Sequence, residues 1–169
     1  MSYTTIKAIR PGEKTDDIID LKNSHGFEPF IWTAICERYL KNDMAWLGPQ
    51  VDNLWPLWKK QSIPIHQRAV LAMTYEMAYI KKADFVRLAN DIRLFMKDFP
   101  VNENRVNHLP KIAEIFESGI DVPAIGFSGS LSEDLWKGDF DEETEEYVPP
   151  DMSKAFDVYF EIDSLEKQS

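Results

Sequence analysis

One cysteine, Cys36, stands among 169 residues, so no intramolecular disulfide can form. Its setting, Phe30-Ile31-Trp32-Thr33-Ala34-Ile35-Cys36, has helical spacing and supplies no base that would stabilise a thiolate, which reads as a small core residue. No stretch approaches the ~18 apolar residues that span a bilayer. The opening residues 1–7 lack the basic-then-apolar order of a secretory signal. These absences lead to the expectation of a cytoplasmic protein with no membrane partner.

Motifs for familiar chemistry are also missing. Gly126-Phe127-Ser128-Gly129-Ser130 lacks the Gly-Lys-Ser/Thr of a phosphate loop and the three glycines of a dinucleotide site. It fails the nucleophile-elbow pattern because Ser130 stands where glycine is needed. The three histidines, His25, His66 and His108, have no metal-ligand spacing with one another or with Cys36. No cofactor and no metal is expected.

What is present describes a folded chain. Hydrophobic residues make up 44% and aromatics 12%, far more than disordered chains contain. The length suits a single domain over 1–169 that needs no disulfide or metal to fold.

Periodicity then divides the chain. Residues 3–10, rich in Thr and Ile and closed by Pro11-Gly12, read as a short strand. Residues 16–23 read as a helical turn or an extended connection. Phe27, Phe30, Ile31, Ala34 and Ile35 recur at helical steps and predict a helix over about 28–41, with Pro29 in its first turn. Residues 51–60 suggest a short aromatic helix. Ser62-Ile63-Pro64 resembles a helix start, followed by the stripe Ile65, Ala69, Ala72, Met73 and Ile80. The strongest stripe is Phe85, Leu88, Ala89, Ile92, Phe95, Met96 and Phe99, which Pro100 closes. A bend at residues 81–84, with Asp84 as cap, gives a helical hairpin in preference to one long rod. Another helix opens at Asn107-His108-Leu109-Pro110. Residues 121–130 read as a loop, and Ser132-Glu133-Asp134 as the start of a helical turn. Residues 155–163 alternate, with Phe156, Val158, Phe160 and Ile162 on one side, and predict a half-buried strand. The fold class that follows is α+β, mainly α: a compact core of four to six helices with a small sheet, in which the N- and C-terminal strands are placed to pair.

Charge is unevenly distributed. Residues 1–112 hold 16 basic and 13 acidic residues, a net of +3, whereas residues 113–169 hold 3 basic and 16 acidic residues, a net of −13. The densest stretch lies within an acidic, Pro-containing loop or linker over 138–151: Asp139, Phe140, Asp141, Glu142, Glu143, Glu145, Glu146 and Tyr147. Like charges there repel, which favours a solvated segment. The same charges form an anionic face for a basic protein, with Phe140 and Tyr147 as anchors and charge as steering. Direct nucleic-acid binding is not expected, because phosphates would be repelled and the cations Lys59, Lys60, Arg68, Lys81 and Lys82 are scattered.

Three classes of function follow. The first is a binding protein whose acidic segment covers a basic surface, as inhibitors and immunity-type proteins do. The second is an enzyme with a site assembled from His66, His108 and Glu76. Glu76 falls on the stripe with Met73, Met77 and Ile80, where burial would raise its pKa, unless Arg87, Arg93 or Arg105 pairs with it. The third is a structural or assembly subunit, for example phage-related, with exposed aromatics as its interface. Trp46, Trp55 and Trp58 are either core or an exposed groove.

Overall fold

The computed structural model describes residues 2–129 and 133–169. Seven strands and five α-helices follow one another in the described residues. They are β1 (Tyr3–Ile9), β2 (Asp16–Lys22), α1 (Glu28–Leu40), α2 (Ile65–Ala72), β3 (Ala78–Lys81), α3 (Phe85–Asp98), α4 (Leu109–Glu117), β4 (Ala124–Gly129), β5 (Phe140–Asp141), β6 (Glu146–Tyr147), β7 (Phe156–Asp157) and α5 (Val158–Glu166). The mainly helical α+β class is as the sequence predicts.

Five strands form one sheet in the order β2-β1-β4-β3-β7, antiparallel except for the β3–β7 pair. Ile6 stands opposite Phe127, and Ile80 opposite Ile125. Alternation along the strands gives the sheet two apolar faces. One bears Ile6, Ala8, Ile80, Ile125 and Phe127 and lies in the main helical core. The other bears Ile9, Met77 and Ala124 and is covered by Trp136, with Tyr79, Met152 and Ala155 at its margin.

The helices expected from the stripes are present where the spacing is most regular. In α3, Phe85, Leu88, Ala89, Ile92 and Phe95 are buried, and in α4 Leu109, Ile112, Ala113, Ile115 and Phe116 are buried. Pro29 and Pro110 both sit in first turns, where a missing N–H is harmless.

Several segments differ from the expectation. Residues 155–163 form mostly helix, since Val158, Tyr159 and Ile162 share a buried side while Phe160 points outward, 63% exposed. Asp157 starts α5 by accepting a hydrogen bond from the Phe160 N–H at 3.2 Å. The first and last strands therefore lie in the same sheet without pairing: β7 pairs with β3, and β1 with β2 and β4. Residues 124–129, expected as loop, form the central strand β4, and residues 16–22 form the edge strand β2. The helix expected from Ser62 starts at Ile65 and stops at Ala72, after which Met77 takes a left-handed φ of 52° and Ala78–Lys81 become β3. Residues 51–60 are 3₁₀ turns in place of a helix. Ser132 lies outside the described residues. Asp134 does start a short 3₁₀ turn, accepting from the Trp136 N–H at 3.2 Å.

The tryptophans pack into or against the core, and Trp46 also borders an open groove. Trp58 is buried, and Trp32, Trp46 and Trp55 pack partly buried against the main core. Trp32 meets Trp46 and Trp55 ring to ring at 5.5 and 5.6 Å. Their indole N–H groups are placed accordingly: Trp32 donates to Thr74 Oγ1 at 2.9 Å and Trp46 to Thr33 Oγ1 at 3.0 Å.

Candidate functional site

The acidic stretch forms an ordered hairpin. Phe140 pairs with Tyr147 and Asp141 with Glu146. Asp141 organises the turn by accepting hydrogen bonds from the N–H groups of Glu143 (2.8 Å) and Thr144 (3.3 Å), and Glu145 closes it with a left-handed φ of 55°. The Phe140 and Tyr147 rings meet edge to face at 5.2 Å, and the Lys137 ammonium sits 4.0 Å from the Tyr147 ring centre.

Its base is anchored deep in the fold. Trp136 is 1% exposed on the back face of the sheet, where Gly126 leaves room for it: a Cβ there would lie 2.9 Å from the indole. The Trp136 carbonyl accepts from Thr15 Oγ1 at 3.1 Å. Gly138 takes a φ of 77°, and the Val148 carbonyl packs where its side chain would be. Two residues before Trp136, Asp134 joins Asp17 in flanking the nearly buried Lys7, at 3.0 and 2.8 Å. Burial opposes its charge, yet hydrogen bonds to both carboxylates hold its pKa above the ordinary value.

The hairpin's own charge is little compensated. Of its six acids, Glu146 pairs with Lys14 at 2.6 Å, and that bond lowers its pKa. Asp141 is also lowered, by the backbone N–H groups of Glu143 and Thr144. Asp139, Glu142, Glu143 and Glu145 make no ion pair among the described residues. Phe140 is 53% exposed beside them. The arrangement is an ordered anionic projection with an aromatic flank.

The residues considered for catalysis are not brought together. Glu76 lies in an exposed turn between α2 and β3, off any helical stripe, because α2 has already ended. Its proposed arginine partners are otherwise engaged or elsewhere: Arg87 holds Asp163, Arg93 holds Glu117, and Arg105 lines a groove on α1. His66 Nε2 donates to Asp98 Oδ2 at 2.5 Å, and His108 Nε2 donates to the Asn23 carbonyl at 2.9 Å. His66 and His108 each make a local hydrogen bond, and none of the three main cavities among the described residues is lined by two of His66, His108 and Glu76.

One ionisable residue escaped the sequence reading. Glu28, at the first position of α1, is 6% exposed, and its carboxyl occupies the space that a Cβ on Gly129 would fill. It makes no hydrogen bond among the described residues, and burial raises its pKa to about 7. It borders a cavity of about 30 Å³ shared with Thr74, Ser128 and Trp136. Local sequence gives little sign of this, because the residues around it come from the turn after α2, from β4 and from the segment leading to Trp136.

No protein-family model, no curated protein and no solved structure matches the chain. Among the described residues no helix is long and apolar enough to cross a membrane, and no acid, histidine or cysteine cluster could hold a metal.

Proposed function

We propose that the chain acts by protein–protein binding, presenting the β5–β6 hairpin to a basic surface on another protein, as an inhibitor or immunity-type protein does when it covers a cationic site. The carrying observation is the combination, on one anchored hairpin, of four carboxylates without ion pairs among the described residues and the exposed ring of Phe140. Complementary charge accelerates encounter and selects partners, while a desolvated aromatic supplies residence time. A hairpin already folded around Asp141 and tied down through Trp136 avoids much of the ordering cost of binding.

The test is affinity capture from host lysate with the full chain and with the exposed triple variant Glu142→Gln/Glu143→Gln/Glu145→Gln. Captured proteins identified by mass spectrometry should be basic, retained at low salt, released at high salt and absent with the variant. Capture of the same proteins by the variant would remove the proposal.

A further inference from the structure

We propose that the chain also binds itself head to tail, the β5–β6 hairpin of one copy entering a groove along α1 of the next. The inference rests on the hairpin being a binding element and adds a competing occupant that regulates it.

The groove consists of two adjoining cavities of about 650 and 310 Å³ that share Phe30, Thr33 and Arg105. Its apolar walls are Phe30, Phe99, Trp46 and Val106, and its cations are Arg38, Lys41 and Arg105. Arg38 Cζ sits over Phe99, 4.0 Å from the ring centre, with Nη2 donating to the Asp98 carbonyl at 2.8 Å. Lys41 Nζ donates to the Arg38 carbonyl at 2.8 Å. Arg105 is exposed and makes no ion pair among the described residues. The groove's acids are Glu37 and Asp98, and Asp98 Oδ2 is already taken by His66 Nε2 (2.5 Å) and Gln67 Nε2 (2.6 Å).

The hairpin complements this lining in charge and in apolar character. It offers aromatics for the apolar walls, carboxylates for Arg105 and Lys41, and no basic residue between positions 138 and 150. The same division holds for the whole chain, which is net +3 up to residue 112 and net −13 after it. The hairpin and groove share no residue, so neither contact consumes the side chains of the other. Such a heterologous contact builds open chains unless its rotation closes a ring. Self-association would then withhold hairpins from a basic partner as concentration rises.

Sedimentation velocity on the full chain reads this directly. At low salt (~50 mM) the average mass should rise with concentration, and at ~500 mM it should return to the monomer, because exposed charges are then screened. The groove variant Arg105→Glu, with Lys41→Glu as a second, should be monomeric, and so should the hairpin variant Glu142→Lys/Glu143→Lys. Mixed in equal amounts, groove and hairpin variants should give a two-chain complex that does not grow, since one copy supplies only a hairpin and the other only a groove. A wild-type chain that stays monomeric at low salt, variants that associate like wild type, or a mixture that stays monomeric would each overturn the inference. Basic-partner capture lost in the hairpin variant alongside any of these results leaves the proposed function standing and removes self-association alone.

Discussion

Glu28→Gln should stabilise the protein at neutral pH, although it deletes a charge from the first turn of a helix. The carboxyl is 6% exposed, borders a small cavity and has no hydrogen-bond partner among the described residues, so ionising it leaves a desolvated charge. The other carboxylates on that cavity, Glu76, Glu133 and Asp134, offer no counter-charge. The pKa lies at about 7 in the fold against 4.5 ordinarily. Because the folded chain holds this proton more tightly, the associated stability is fully present below pH 4.5 and is lost as pH rises through 7. At about 1.4 kcal/mol per pH unit, the loss is roughly 3 kcal/mol. The positive N-terminal end of α1 favours an anion by up to ~1 kcal/mol, which brings the net nearer 2. Urea unfolding followed by tryptophan fluorescence at about pH 4 and about pH 8, wild type against variant, isolates this group from the other acids. The variant should match wild type at the lower pH and exceed it by ~2–3 kcal/mol at the higher. An equal effect at both pH values, or a loss of stability at pH ~8, would refute the reasoning.

Other outcomes follow from the same contacts. Gly126→Ala should cost ~1–3 kcal/mol, because the new methyl meets the buried Trp136 ring at 2.9 Å, and it should speed proteolysis across 138–151 by loosening the hairpin's anchor. Arg68→Ala should cost ~2–4 kcal/mol in urea unfolding, from the cavity it leaves and the Trp58 carbonyl it strips of a donor, since Glu166 is open enough to be resolvated. That side chain is 1% exposed, with Nε donating to the Trp58 carbonyl at 2.7 Å and Nη1 to Glu166 at 2.5 Å. Cys36 should resist thiol reagents at about pH 8 until the protein unfolds, since burial pushes its thiol to about 11 against an ordinary 9.0. Rapid native labelling would contradict the packing described for α1.

What the sequence made legible is what local chemistry decides. The stripe of Phe85, Leu88, Ala89, Ile92 and Phe95 repeats at helical steps and leaves only one way to bury itself. The acidic run is exposed, as its repulsion demands, and its order comes from Asp141 and Trp136. Long-range fit hid the rest. β4 looks like loop because of its glycines, yet Gly126 and Gly129 make room for Trp136 and Glu28, one ten residues ahead and the other about a hundred behind. Residues 155–163 alternate like a strand, but Asp157 caps a helix whose buried side is Val158, Tyr159 and Ile162. Tyr159 is then fixed by its hydroxyl, which donates to Asp91 at 2.6 Å, and by Arg87 over its ring at 4.1 Å. Glu76 loses the burial expected of it because α2 ends four residues earlier.

The central claim is that charge on the hairpin drives recognition, and association kinetics test it most directly. With a captured basic protein immobilised, the association rate of the full chain should fall steeply as salt is raised, while dissociation changes little. Neutralising Glu142, Glu143 and Glu145 together should lower the association rate at low salt to the level seen at high salt. An association rate indifferent both to salt and to those three substitutions would contradict the account.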